Sequence, residues 1–399
     1  MRRWVVLLAL CGCGGDRLPV FDGPGFVHDP APPSMLGKIV TTDNGDDTLS
    51  IVDPAAPSPP KLVPVGFNPV DIEGPHHLSV DPTGKFLYVN LSLPASVVGV
   101  GPHGAHGASI KPGWVLKLDT ATGRELGRID VDPNPGDNTL TPDGKTLYVT
   151  HYDLPSWFAN SAPGKSIRDG DSKLIAIDTA TMTRTAKVPI CPAAHGVRLS
   201  LDEKQLYATC GPDEIAVVDL PALTVRRVPL APGAPEGGTC TRCPYALTVA
   251  PDGTVWVSSI GMGTNARGMV SLYDPVTGDF DPASHTQLRG AAMFAAFVGS
   301  KEAYRAFVPE QGAAGDAIRI YQPQPRGTPP MEIASITLDR ADCQKAHMLL
   351  ADIAKGYLVC EGDHVHPGSF VWLDLDARAV TGSQPIGVFP DGMAWVRPR

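Results

Sequence analysis

Short apolar runs alternate along the chain with turns rich in Pro and Gly, and the alternation itself repeats. Residues 77–90 read HLSVDPTGKFLYVN: an apolar run, a turn punctuated by Pro82 and Gly84, then Phe86, Leu87, Tyr88 and Val89, which favour a pleated backbone. The pattern returns as TLTPDGKTLYVT at 139–150, VRLSLDEKQLYAT at 197–209 and LTVAPDGTVWVSS at 247–259. Weaker copies are FVGSKEAYRAFV at 297–308 and LLADIAKGYLVC at 349–360. With Tyr88, Tyr148, Tyr207, Trp256, Ala306 and Leu358 taken as equivalent, the period is about 50 to 60 residues, the mark of a repeat architecture. A second motif closes an apolar run with Asp, at Asp53, Asp119, Asp178, Asp219, Asp274 and Asp374; the fifth repeat carries Tyr321-Gln322-Pro323 instead. Aspartate suits a bend there because its carboxylate accepts backbone N–H groups two residues on.

Each period holds four strands, A to D, which is one propeller blade. Innermost A strands fall near His76, Asp137, His195, Tyr245, Phe294 and His347, which makes six blades. Residues 385–396, PIGVFPDGMAWV, are one more A strand with no B, C or D after it, while residues 38–53 and 61–66 supply B, C and D with no A before them. Uniting the two ends completes a seventh blade and leaves no open sheet edge. The expected fold over residues 38–399 is therefore an all-β, seven-bladed β-propeller, closed by N-terminal strands B, C and D and a C-terminal strand A.

Composition agrees with this and narrows the partners. With 42 Gly and 41 Pro among 399 residues, the chain suits many short strands joined by tight turns, and no amphipathic helical run interrupts them. A net charge of -9 argues against nucleic acid, which calls for clustered Lys and Arg. No apolar run beyond the N-terminus approaches the roughly 18 residues that span a bilayer.

The first residues read differently. Arg2 and Arg3, an apolar stretch at 4–10 and then Leu10-Cys11-Gly12-Cys13 resemble a bacterial lipoprotein signal, with Cys13 as the lipidation site and Cys11 as the alternative. Residues 1–13 are the expected signal peptide and 14–37, rich in Pro and Gly, a tether. Gly14 follows the anchor, so an outer-membrane lipoprotein facing the periplasm or the cell surface is the expected location, with the lipid as the sole membrane attachment.

The stretches KFLYVN, KTLYVT and IVTTDNGDDTLSIVD resemble the YVTN-repeat β-propeller family of bacterial and archaeal surface and periplasmic proteins. The resemblance runs from residue 38 to 396 and implies the propeller fold. It implies no activity, because the shared residues are strand and turn grammar.

Six cysteines lie in the body, and an exported chain meets an oxidising compartment. In a blade the start of strand A lies beside the end of strand B, which pairs Cys191 with Cys210 and Cys343 with Cys360 and leaves Cys240 with Cys243. The CTRC stretch is not a haem attachment site, since Pro244 stands where His would be needed.

Histidines carry the functional signal. His76, His77, His195 and His347 begin A strands, and His103, His106, His364 and His366 fall in B–C loops, along with His151. The D–A and B–C connections share one face, so these imidazoles and the long B–C loops at 91–112 and 152–172 are expected together, joined by Asp137, Asp153, Glu310, Glu361 and Asp363. Two readings follow. In one, the chain is a non-catalytic scaffold whose loop-rich face docks a periplasmic or surface protein or a small ligand, and the A-strand histidines bond neighbouring blades, as the Pro-His-Gly-Val grammar of YVTN repeats implies for His195-Gly196-Val197. In the other, the imidazoles converge at the mouth of the central channel and hold Cu, Zn, Ni or Fe, as a metal-binding or redox-partner protein. No catalytic pair is evident, and residues 164–166, Gly-Lys-Ser, lack the first glycine and the strand–helix setting of a phosphate loop.

Overall fold

The computed structural model of the chain describes residues 32–67, 72–93, 109–160, 168–231, 240–261 and 267–397. The expectations placed on Cys13 and the signal peptide, on residues 14–31 of the tether, on His103 and His106, and on most of the Gly-Lys-Ser loop lie outside these residues.

Seven antiparallel sheets account for all the strands, and each has the chain order of a propeller blade. Blade one is built from Pro75–Val80, Phe86–Leu91, Pro112–Asp119 and Glu125–Pro133, and the order A, B, C, D runs outward from the axis. Strands B and C are buried on both faces, because each blade is sandwiched between two others, and so they read as nearly unbroken apolar runs. Strand D is the outer edge, and burial along Thr183–Pro192 alternates until the strand dips towards the axis.

The ring closes as the repeat count requires. The C-terminal strand Pro390–Trp395 pairs antiparallel with Ile39–Asp43, matching Ile39 to Trp395 and Val40 to Ala394. Residues 385–388, expected at the start of that strand, instead finish strand D of blade six, Ala379–Val388. The corner falls at Phe389, whose φ of 53° turns the chain into the new blade.

Six apolar clusters each fill a gap between adjacent blades, and a seventh fills the gap between blades six and seven and runs across the axis to Tyr245 and Phe294. Tyr88, Tyr148, Tyr207 and Trp256, equivalent in the repeat, sit in four successive gaps as packing residues. The repeating turns behave as read: Asp53 accepts the Ala55 N–H at 2.9 Å, Asp274 that of Val276 at 2.9 Å and Asp374 that of Asp376 at 3.0 Å. Gly84, with φ of 70°, occupies the left-handed position that the A–B turn demands. Asp219 departs from the rule, its carboxylate taking side-chain donors from Gln205 and Thr224.

All three disulfides join the expected cysteines: Cys191–Cys210, Cys343–Cys360 and Cys240–Cys243, with Cα separations of 5.7, 5.4 and 4.9 Å. One unanticipated element is the helix Leu154–Asn160 in the B–C connection of blade two, begun by Asp153, whose carboxylate accepts the Ser156 N–H at 3.0 Å. No helix among the described residues is long and apolar enough to cross a membrane.

Candidate functional site

Superposing the seven A strands by their pairing places one residue of each at the narrow inner end of the ring. These are His76, Gly136, His195, Tyr245, Phe294, His347 and Asp391, and the next residue in blades one and two adds His77 and Asp137. Because strand A is innermost, side chains on its lumen face have no neighbour in their own blade and meet across the axis. His76, His77, His195, His347 and Asp391 are all at most 1% exposed.

Backbone wiring orients the imidazoles. His76 Nδ1 donates to Pro135 O at 3.2 Å, His195 Nδ1 to Tyr245 O at 3.1 Å and His347 Nδ1 to Asp391 O at 2.9 Å, in each case the carbonyl of a following blade. A carbonyl can only accept, so Nδ1 carries the hydrogen, and in a neutral ring the lone pair belongs to Nε2. Threonines at the ends of B strands hold the same backbone: Thr42 Oγ1 donates to His76 O, Thr150 Oγ1 to His195 O and Thr209 Oγ1 to Tyr245 O. Gly136 leaves room for the rings, since a Cβ there would stand 3.3 Å from His195 Cα.

His76, His77 and His195 form the tightest group. Their rings are 4.5 to 5.2 Å apart, and one nitrogen from each lies within 4.8 Å of the others. Tyr245 stacks on His195 at 3.8 Å, Tyr152 meets its edge at 5.3 Å, and Phe294 sits 5.1 Å from His77. Among the described residues the carboxylates nearest His77 are Asp137 Oδ1 at 3.7 Å and Asp391 Oδ1 at 3.8 Å. Burial, then the adjacent His76, push its pKa well below the ordinary value and keep the ring neutral.

Asp391 is the group that sequence reading passed over. Its Oδ2 lies 3.0 Å from His76 Nε2 and its Oδ1 2.8 Å from His347 Nδ1. Burial by itself would lower the His347 pKa, but the Asp391 charge and hydrogen bond outweigh it and raise the value to about 9. His347, its ring 6.1 Å from that of His77, is thus the counter-ion of Asp391 and stands beside the three-histidine group. The signal for Asp391 was present: Pro390-Asp391 occupies the place of Pro75-His76 in the repeat.

The described loop histidines do not reach the axis. His364 lies 2.7 Å from Glu361 and stacks on Phe389 at 3.6 Å, and His366 pairs with Asp363 at 2.7 Å with its side chain 78% exposed. His151 donates Nδ1 to Lys173 O at 2.7 Å, and burial holds its pKa down at about 4. Of the carboxylates, Glu310 pairs with Arg319 and accepts the Arg289 and Gly290 N–H groups, while Asp137 pairs with Arg198 and accepts the Val197 N–H at 3.2 Å.

A cavity of about 480 Å³ adjoins the inner end of the ring. Its lining begins at His77, Asp137 and Phe294 and ends at Val80, Leu140 and the A–B turn residues Pro82 and Pro142. The cavity thus follows the A strands from the axial histidines towards the A–B turns, with His77 at its inner end.

Comparison with solved structures agrees with the architecture. Hydrazine synthase from Kuenenia stuttgartiensis is similar over 82% of this chain and 92% of its own, with a TM-score of 0.58 and 15% identity. A functionally unknown protein from Desulfotomaculum acetoxidans matches over 91% and 100%, with a TM-score of 0.63 and 10% identity. Dihydro-heme d1 dehydrogenase NirN, in complex with DHE, matches over 95% and 78%, with a TM-score of 0.53 and 15% identity. At these identities the likeness is one of fold. No family model and no curated protein matches the sequence.

Proposed function

We propose that the chain is a metal-binding β-propeller in which His76, His77 and His195 take a transition-metal cation on the axis. The observation that carries this reading is the convergence of three buried imidazoles, from two different blades, with ligating nitrogens within 4.8 Å of one another. Nitrogens sharing one ion at about 2.1 Å stand about 3.4 Å apart, which modest ring rotation would reach. The Nδ1–H···O=C bonds of His76 and His195 are the outer-sphere contacts that turn Nε2 of a metal-binding histidine towards its ion. Asp391 adds a carboxylate 3.0 Å from His76, as a fourth donor or as charge balance. An all-imidazole set with one carboxylate suits Zn, Cu, Ni or Fe. Copper or iron would give the centre a redox role, and zinc a structural one.

Three disulfides and the resemblance to YVTN repeats support a place outside the cytoplasm, and residues 10–13 support anchorage through Cys13 as an outer-membrane lipoprotein. The anchor is tested by acyl labelling, which Cys13→Ala abolishes; persistence of label would move the site to Cys11.

Elemental analysis of the mature protein tests the metal. About one equivalent is expected, lost in His77→Ala and His195→Ala but kept in His366→Ala. A folded wild-type protein that neither contains a metal nor gains thermal stability on adding zinc or copper would overturn the assignment. The axis histidines would then be inter-blade ties, and the scaffold reading would stand.

A further inference from the structure

We propose that the central channel is a binding site for a small organic carboxylate with an apolar body, entering from the face of the A–B turns and oriented by Arg198. This goes beyond the metal assignment and does not require it. The cavity volume of about 480 Å³ falls in the range of small-molecule sites. Its walls mix apolar side chains such as Phe294, Met348 and Trp395 with the hydroxyls of Ser79, Thr139 and Thr248, and the ionisable groups stand at the inner end.

Arg198 is the anchor because of how its guanidinium is used. Nη1 donates to Asp137 Oδ2 and to Val197 O, which holds one edge of the plane. Nε and Nη2 have no hydrogen-bond acceptor among the described residues, although the side chain lines the cavity and is only 26% exposed. A guanidinium has donors and no acceptor, and its second edge is shaped for the two oxygens of a carboxylate. Phe294 lies 5.5 Å from the same guanidinium and supports the plane from the side. Asp137 does not cancel this preference: its carboxylate is already engaged by Arg198 and by the N–H groups of Val197 and Asn138. The ionisable residues of the lining are His77, Asp137 and Arg198, so Arg198 supplies the cationic donors still unmatched among the described residues of the lining. A carboxylate head would thus dock at the inner end, within reach of His77, and an aliphatic or aromatic body would extend along the A strands.

The test uses the mature protein, as purified and after treatment with chelator. Hexanoate and benzoate are titrated against their neutral amides, hexanamide and benzamide, with calorimetry and with the fluorescence of the tryptophans, of which Trp395 lines the channel. Saturable binding of at least one acid is expected, about tenfold or more tighter than that of its amide. Arg198→Gln is expected to remove that preference. Because this change also strips Asp137 of its partner, Leu140→Trp provides a second variant, which fills the outer end of the channel and leaves the ion pair intact. It is expected to abolish binding with the unfolding transition preserved. Absence of saturable binding of either acid by folded wild-type protein up to about 10 mM, or an acid preference that survives Arg198→Gln, would overturn the proposal. Binding that persists in chelator-treated protein would separate this site from the metal; binding lost with the metal would show that the ion, not Arg198, is the anchor.

Discussion

Asp391 and His347, 44 residues apart on the A strands of blades seven and six, meet with Oδ1 2.8 Å from Nδ1 and both side chains shut off from solvent. A buried charge pair of this kind is held by mutual need, since either partner alone would be an uncompensated charge in a low-dielectric site. Asp391→Asn is expected to cost about 3 to 5 kcal/mol, and His347→Gln a similar amount. The double variant should cost clearly less than the sum, with a coupling of about 1 to 3 kcal/mol in denaturant unfolding. Additive losses would show that the pair is not energetically coupled.

Asp43 makes the fold sensitive to alkaline pH. It is fully buried at the end of strand B in blade seven, and burial, only partly offset by the hydroxyls of Ser50, Thr48 and Thr41, raises its pKa from 3.8 to about 8. The folded state therefore keeps a proton that the unfolded chain releases near its ordinary pKa. Stability from this group is full below that value and is lost as pH rises through about 8. The melting temperature of the wild type should fall between pH 5 and 9, and that of Asp43→Asn should fall less. Parallel profiles for the two proteins would exclude Asp43 as the cause.

The three disulfides should differ in worth. Cys191–Cys210 and Cys343–Cys360 close chain separations of 19 and 17 residues, and Cys240–Cys243 one of 3. Chain entropy assigns about 3 kcal/mol to each of the larger loops and about 2 to the smallest. Paired Cys→Ala variants compared by denaturant unfolding should show that order. A larger loss for the 240–243 pair would mean that the small ring does more than limit the unfolded chain, for example by holding Pro244 and Tyr245 against His195.

Closure should be indispensable to cooperativity. A chain ending at Pro385 lacks the strand that pairs with Ile39–Asp43, and its seventh blade would present an unpaired inner edge. Such a chain should lose its single sharp unfolding transition and aggregate. A truncated protein that unfolds cooperatively at the wild-type midpoint would show that the ring holds without its clasp.

Much of this was written locally. The A–B hairpins, the Asp-ended turns and the blade period depend on residues a few positions apart, and the missing A strand at one end complements the surplus one at the other. The disulfides followed, because strand order in a blade puts the start of A beside the end of B. Placing His76, His77 and His195 together required only that equivalent positions in different blades face one axis.

Three features were decided by tertiary structure. Asp391 joins His76 and His347 only once the ring has closed; its place after Pro390 marks it as an axial position, but its partners lie on other blades. His364 and His366, close to the axis histidines in kind, are kept away by Glu361, Phe389 and Asp363. The direction of the channel depends on which end of the A strands is filled. His195, Tyr245 and Phe294 pack together at one end, and the cavity extends towards the other, beside Val80, Leu140 and the A–B turns. Local sequence determines strands, turns and the positions that face inward, because hydrogen bonding and alternation act over a few residues. What meets across the axis is settled by seven side-chain volumes competing for one space, and that sum exists only in the closed ring.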